Sequence, residues 1–124
     1  MSRMAGEIPP VDLSAALKSV GGNEELLGEL VKIFLEELPR RLDAVRHAVS
    51  RGDTEESRRI AHSLKGALTM LGAAEGRALA RQVEGLADAR QLKAATQLIE
   101  SFALELERVA AFYRSAQKGN NATP

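Results

Sequence analysis

Apolar residues recur every three or four positions through most of this chain, and that spacing constrains its fold more than any other feature. The clearest run lies between Asn23 and Ser50. Its stripe consists of Leu27, Leu30, Val31, Phe34, Leu38, Leu42, Val45 and Val49. The stripe keeps its phase across Pro39, although a proline removes a backbone donor and clashes with the preceding turn. The spacing therefore predicts one long helix, Asn23–Ser50, kinked near Pro39; two helices with a short break are the alternative.

Four more segments have the same period. The predicted helices are Val11–Val20, Thr54–Leu71, Ala74–Arg90 and about Leu92–Ala116. No segment alternates with a period of two over a useful length, so no strand is expected. Four long amphipathic helices with short connections predict an all-α fold, an antiparallel up-down four-helix bundle with a short extra N-terminal helix. We expect residues 1–10 to form a flexible leader, residues 11–117 the bundle domain and residues 118–124 a flexible tail.

Polar residues at the segment boundaries predict where the helices begin. Asn23 is a good N-cap for the second helix, while Asp12 or Ser14 caps the first and Asp53 or Thr54 the third. The spacing also predicts which residues face the core. They are Leu13, Leu17 and Val20 in the first helix, Ile60, Leu64, Ala67, Leu68 and Leu71 in the third, Leu79, Val83 and Leu86 in the fourth, and Leu92, Ala95, Ile99, Phe102, Leu106, Val109 and Tyr113 in the last.

The composition argues against several classes of function. Lysine plus arginine and aspartate plus glutamate both number 17, so the net charge is zero, and aromatic residues make up only 3%. A nucleic-acid partner is not expected, because such proteins have a basic face and aromatic stacking platforms. The absence of cysteine excludes disulfides and thiolate chemistry. Residues 1–10 lack the apolar segment of a signal peptide and no apolar run approaches the roughly 20 residues of a membrane span, so we expect a cytoplasmic protein without a membrane partner.

The third predicted helix contains a histidine outside its core stripe. His62 falls roughly 180° from the middle of the stripe, and Gly66 lies one turn further along the same side. A glycine in an exposed helix interior costs about 1 kcal/mol relative to alanine, so it needs a reason other than stability. An exposed histidine in this setting is a candidate phosphoryl acceptor, with one ring nitrogen as the nucleophile.

Three neighbouring residues meet the requirements of such an acceptor. Lys65 leans back toward the turn that carries His62 and would stabilise a transferred phosphoryl group. Gly66 leaves room for a partner's active site to approach the imidazole. Glu84, on the next helix and off its core stripe, is the candidate for holding the proton of the second ring nitrogen.

Other polar residues near this group are candidates for partner binding. The four arginines Arg58, Arg59, Arg77 and Arg81 lie off the core stripes and would form a positive rim for an acidic partner pocket. The hydroxyl residues Ser63 and Thr69 are assigned to the same partner-binding set. These six residues are expected to contact a partner rather than to react.

The run Ala61–Ala67 has the sequence Ala-His-Ser-Leu-Lys-Gly-Ala and is followed by Leu71-Gly72. It resembles the signature of histidine-containing phosphotransfer (HPt) domains. Further similar stretches, within Val11–Tyr113, are Phe34–Pro39, Gly52-Asp53 and Leu79–Leu86. Ala67-Leu68 departs from the small pair that is common in the family, and Leu68 is interpreted as additional core volume.

The resemblance implies a phosphocarrier that takes part in two-component signalling without kinase activity of its own. It implies that His62 accepts the phosphoryl group through Nε2, that Lys65 is the family's cation, that Gly66 provides clearance, and that Glu84 bonds Nδ1. The implied partners are response-regulator receiver domains and a hybrid sensor histidine kinase. No cofactor is expected on this chain, because the Mg²⁺ would belong to the receiver domain. A monomer is expected.

Two other functions compete with the phosphocarrier. A metal-dependent bundle enzyme would need inward carboxylates and Glu-x-x-His pairs, and no such pair occurs; Asp43 with His47 is the only pair with ligand-like spacing. A helical scaffold would bind signalling partners through the same face without chemistry. His47 is also off its stripe, but Ser50 and Arg51 occupy the places that Lys65 and Gly66 take beside His62. We therefore interpret His47 as an ordinary surface histidine.

Overall fold

The computed structural model describes residues 9–122, with side chains through Gln117. Its helices are α1 (Leu13–Ser19), α2 (Glu24–Ser50), α3 (Thr54–Met70), α4 (Ala74–Asp88) and α5 (Ala95–Ala122), and a 3-10 turn, Leu92–Ala94, precedes α5. No strand occurs between residues 9 and 122. The all-α prediction is therefore confirmed. Residues 1–8 of the expected leader and residues 123–124 of the expected tail lie outside the described residues.

The helices begin where side-chain caps are available. Asp12, Asn23 and Asp53 each accept the backbone N–H three residues ahead, at 3.1, 2.9 and 3.0 Å. These bonds satisfy donors that the first turn of a helix leaves without a partner. The helix α4 begins after Ala73 without a side-chain cap. The one-helix prediction for Asn23–Ser50 is confirmed, because α2 continues through Pro39.

Long helices that follow one another in the chain pack against one another. The closest pair is α3 with α4, and α2 also packs on both α3 and α5, while α4 packs on α5. Contacts at His62–Glu84 and Arg58–Asp88 show that α3 and α4 run antiparallel, since four residues forward along α3 correspond to four residues back along α4. The short α1 crosses the turn between them. The amide of Asp12 donates to the Gly72 carbonyl, and a Cβ at Gly72 would collide with the Asp12 backbone.

The core confirms most of the predicted inward residues and corrects one. The stripes of α2, α3 and α5 are buried as predicted, with Leu30 and Ala67 only half-buried. The prediction for Leu13 is wrong: this side chain is exposed, and Ala16 is the buried residue of α1. Leu79 and Leu86 are half-buried and pack against the core, while α4 turns its smaller residues fully inward. The buried residues of α4 are Gly76, Ala80, Val83 and Ala87.

Two helix ends differ from the predicted boundaries. The helix α4 ends at Asp88 instead of Arg90, because Arg90 adopts a left-handed backbone conformation with φ of 57°. Its turn is closed by a bond from the Gln91 amide to the Leu86 carbonyl at 2.8 Å. The last helix extends beyond the predicted Ala116 to Ala122, so most of the segment assigned to a tail from residue 118 is helical.

A candidate phosphohistidine site

The exposed imidazole of His62 lies in the middle of α3, at the interface with α4. Ile60 and Leu64 on either side of it in sequence are buried, which fixes the rotation of α3 and directs His62 outward. The His62 side chain is 66% exposed. A rigid helix therefore presents this ring to solvent, as the sequence predicted.

One of the two ring nitrogens is engaged by α4. The Nδ1 atom of His62 lies 2.7 Å from Oε2 of Glu84, whose side chain is only 15% exposed. An ionised carboxylate has no proton to donate, so the short contact requires a proton on Nδ1. In the neutral ring this leaves the lone pair on Nε2, the nitrogen that Glu84 does not engage.

A lysine shares the same carboxylate. The Nζ atom of Lys65 donates to Oε1 of Glu84 at 2.7 Å, and its side chain is 26% exposed. The helical spacing predicts Lys65 beside His62 but does not predict this bond, which depends on the register between two helices. The feature of the sequence that could have indicated this bond is the spacing of His62 and Lys65. They are three residues apart, so they lie on successive turns and can both reach one residue of α4.

The two bonds determine the charge of Glu84. Partial burial favours the protonated acid, but the hydrogen bonds from Lys65 and His62, together with their positive charge, outweigh it and lower the pKa of Glu84 below its usual value of 4.5. Glu84 is therefore an anion at neutral pH. A fixed negative charge behind the ring would stabilise a positive charge that a reaction at Nε2 places on it.

The surface in front of the ring is open on the side of Gly66. A Cβ added to Gly66 would meet no atom within 4 Å. Packing inside this chain therefore does not explain the glycine. Two apolar side chains that the sequence did not indicate, Ile33 and Met70, line a groove between α2 and α3. They are 50% and 39% exposed.

The four arginines of the predicted positive rim differ in whether a carboxylate pairs with them. Arg58 forms an ion pair with Asp88 at 3.6 Å, and Arg59 bonds Glu56 at 2.7 Å. Arg77 and Arg81, both exposed on α4, have no side-chain partner within the described part of the chain.

The two hydroxyl residues of the predicted partner-binding set also differ. Thr69 donates to the carbonyl of Lys65 at 2.8 Å, which is a bond within its own helix. Ser63 is exposed and makes no side-chain bond to a described residue. Ser63 can therefore donate to a partner, whereas the Thr69 hydroxyl has already used its proton and can only accept.

His47, the second histidine, lies in a different setting. It is exposed near the end of α2, and its ring contacts no carboxylate or cation among residues 9–117. The same region holds no group of three or more histidine, aspartate or glutamate side chains arranged to bind a metal ion. Residues 9–122 also include no helix long and apolar enough to cross a membrane.

Comparison with known proteins identifies the family. A family model described as "Hpt domain" matches residues 29–112, which is most of the chain. This chain belongs to the Hpt domain family. Domains of this family are phosphocarriers that exchange phosphoryl groups with receiver domains and histidine kinases, so the function of this Hpt domain is histidine phosphotransfer in a phosphorelay. No curated protein sequence matches it.

Two solved structures share the fold of this Hpt domain. The first is the HPt domain of an Hpt sensor hybrid histidine kinase from Shewanella, with a TM-score of 0.81 and 18% identity over 89% of this chain and 95% of that one. The second is histidine-containing phosphotransfer protein B (HptB) from Pseudomonas aeruginosa PAO1, with a TM-score of 0.81 and 24% identity over 90% of this chain and 97% of that one. At these identities the similarity establishes the common fold.

Proposed function

We propose that His62 is the phosphoryl acceptor of this Hpt domain and that it relays the group between receiver-domain aspartates, or from a hybrid sensor kinase to a receiver. The observation that carries this proposal is the bond between Nδ1 of His62 and Glu84. It selects the tautomer in which Nε2 is the nucleophile and directs that atom away from the carboxylate. The ring of His47, by contrast, bonds no carboxylate among residues 9–117.

The proposed transfer step needs no proton to move. The Nε2 lone pair attacks the phosphorus of a phosphoaspartate on the receiver, an N–P bond forms, and the P–O bond to the aspartyl carboxylate breaks with its electron pair retained by oxygen. The ring becomes a cation that keeps its proton on Nδ1, facing the Glu84 anion. The reverse step returns the phosphoryl group to a second aspartate. Any Mg²⁺ that the reaction requires is proposed to be held by the receiver.

Lys65 and Gly66 have separate parts in this proposal. Lys65 keeps Glu84 ionised and places a positive charge one turn from the transferred group, where it stabilises the phosphoryl oxygens. Gly66 lets the receiver's active site approach the ring, and the exposed side chains of Ile33 and Met70 beside it provide apolar surface for docking.

We further propose that this domain acts as a cytoplasmic monomer without kinase activity of its own, and that its four long helices form an antiparallel up-down bundle. The order in which the helices neighbour one another and their short connections support the bundle. The sequence contains no glycine-rich nucleotide loop, which supports a carrier that depends on its partners for the phosphoryl group.

The proposal is tested by incubating the domain with a radiolabelled, phosphorylated receiver domain and comparing the wild type with His62→Gln and His47→Gln. We expect label on the wild type and on His47→Gln but none on His62→Gln, while circular dichroism shows all three to be folded because both histidines are exposed. Label that is stable in alkali and lost in acid would identify phosphohistidine.

Two other results would contradict the proposal. Label retained by His62→Gln would show that another residue is the acceptor. A wild type that binds receivers but takes no label would instead favour a scaffold that uses the same face for binding alone.

A further inference from the structure

The charged side chains around His62 are unequally engaged, and the difference separates α3 from α4. On α3, Arg58 and Arg59 are already neutralised by Asp88 and Glu56. On α4, Arg77 and Arg81 are exposed and have no side-chain partner in the described part of the chain. The face of α4 next to the site therefore carries two positive charges available to another molecule.

The carboxylates of that face do not cancel these charges. Glu84 is bonded by both His62 and Lys65, and Asp88 is paired with Arg58. Each acidic group on the α3-facing side of α4 is thus matched by a cation other than Arg77 or Arg81. The face has a net positive charge although the whole chain has none.

Arg77, Arg81 and Gly85 form a single row on α4, because they are spaced by four residues. We call these three residues the α4 row. The antiparallel register places Gly85 level with Ala61, which is about 1.5 Å along the axis from the level of His62. A Cβ at Gly85 would meet no atom within 4 Å, so this exposed helical glycine, like Gly66, has no packing role within the chain.

The length of the row shows what the arginines would contact. By helix geometry Arg81 lies about 4.5 Å and Arg77 about 10 Å along α4 from the level of Glu84. Helical side chains lean toward the N-terminus, so the Arg77 side chain leads away from the level of Glu84, whereas a phosphoryl group on His62 extends only a few ångströms from the ring. A ligand that engages both arginines must therefore be a surface that extends along α4.

From these observations we infer that the α4 row is a docking surface for the acidic face of a receiver domain, whose carboxylates pair with Arg77 and Arg81 while its backbone passes over Gly85. The inference rests on the proposed function, which brings a phosphoaspartate and the acidic residues around it to His62. It narrows the positive rim expected from the sequence to its two unpaired arginines on α4, and it extends the contact to Gly85. Exposed charges of this kind mainly accelerate encounter and set its dependence on salt.

The test measures the rate of phosphoryl transfer from the receiver domain that labels the wild type fastest, after that receiver has been phosphorylated with acetyl phosphate. In the variant Arg77→Glu/Arg81→Glu we expect association to slow by about tenfold at low salt and to depend less on salt. The matched control is Lys93→Glu/Arg114→Glu, which changes the net charge equally at exposed positions outside α3 and α4. We expect the control to transfer at nearly the wild-type rate.

A second comparison tests whether the partner covers Gly85, the residue of the α4 row that has no side chain. Gly85→Gln and Gly28→Gln both replace an exposed helical glycine that has open space around it, so both are expected to raise the midpoint of unfolding. Only Gly85→Gln is expected to slow transfer, since Gly28 lies on α2 away from the row. Equal transfer by both variants would show that the partner does not cover Gly85.

Phosphoramidate, a small phosphoryl donor that needs no docking, separates failure of this inference from failure of the proposed function. Label on His62 from phosphoramidate in every variant, with slow transfer from the receiver only in the row variants, would support the surface. Wild-type transfer rates in Arg77→Glu/Arg81→Glu would overturn the surface and leave His62 as the acceptor. A wild type that takes label from neither donor would overturn both.

Discussion

Glu84 links two side chains of α3, because one carboxylate accepts from both His62 and Lys65. The arrangement makes the three residues interdependent. Removal of the carboxylate would free the ring to rotate and would also release the lysine. The effect of a Glu84 substitution on phosphotransfer should therefore exceed the effect expected from one lost hydrogen bond.

Replacing Glu84 with glutamine should destabilise the fold in a pH-dependent way. The amide keeps an acceptor oxygen but loses the charge, so we expect the free energy of unfolding to fall by about 1–2 kcal/mol at pH 7. Because the pKa of Glu84 is lowered in the folded state, its contribution is full above its usual value of 4.5 and is lost as the pH falls through the lowered pKa. Urea unfolding at pH 7 and below pH 4 should show the difference from wild type shrinking in acid.

The control for this experiment is Glu107→Gln, which changes an exposed carboxylate of α5 that makes no bond to a described side chain. It should have little effect at either pH. A difference between wild type and Glu84→Gln that stays constant from neutral pH into acid would mean that the charge of Glu84 does not stabilise the fold.

The sequence predicted the site residues and the contact of Glu84 with Nδ1 of His62, but not the second bond of Glu84, to Lys65. The exposure of His62 and the position of Glu84 off its stripe both follow from helical periodicity within one segment. The bond between Lys65 and Glu84 depends on how far α3 is displaced along α4, and no local pattern specifies that displacement. The unequal pairing of the four arginines was unpredictable for the same reason.

At the scale of a helix, α4 illustrates why the core was predicted incompletely. Periodicity analysis follows large apolar residues, so it selected Leu79 and Leu86. The helix instead buries Gly76 and neighbouring alanines, and a Cβ at Gly76 would lie 3.2 Å from the Leu68 side chain of α3. Close approach of α4 to α3 thus depends on small residues, and this approach is also what brings Glu84 within reach of His62.

Pro39 gives a prediction for α2. The helix is continuous through this residue, although proline supplies no N–H to the carbonyl four residues earlier, that of Leu35. Proline in a helix interior is about 3 kcal/mol less favourable than alanine. We therefore expect Pro39→Ala to raise the free energy of unfolding by about 1–3 kcal/mol, measured by urea denaturation.

The neighbouring substitution Arg40→Ala serves as its control, because Arg40 is exposed and its ion pair with Glu37 is long, at 3.8 Å. It should change stability by no more than about 0.5 kcal/mol. If Pro39→Ala were no more stable than wild type, α2 would have to accommodate its missing bond at no cost.

At the scale of the whole molecule, a single buried bond joins the end of α3 to α5. The hydroxyl of Tyr113 donates to the carbonyl of Leu71 at 2.7 Å, and Tyr113 is 3% exposed. Leu71 also precedes the turn at Gly72 on which α1 packs. This bond therefore connects α5 to the place where α1, α3 and α4 meet. The periodicity of the sequence predicted only that Tyr113 faces the core.

Tyr113→Phe should test this connection through its dependence on pH. Burial raises the pKa of Tyr113 from 10.0 to about 12, because the ionised phenol would lie in an apolar interior. The unfolded chain releases this proton first, so the wild type should lose stability as the pH rises from 10 toward 12, whereas Tyr113→Phe should not show that loss. At pH 7 the variant should be less stable by about 1 kcal/mol, because the Leu71 carbonyl loses its donor.

Tyr113 is the sole tyrosine and tryptophan is absent, so the ultraviolet absorbance of tyrosinate reports this residue alone. A midpoint near 10 in the folded protein, or parallel losses of stability in both proteins, would contradict a buried hydroxyl that holds α5 against the end of α3.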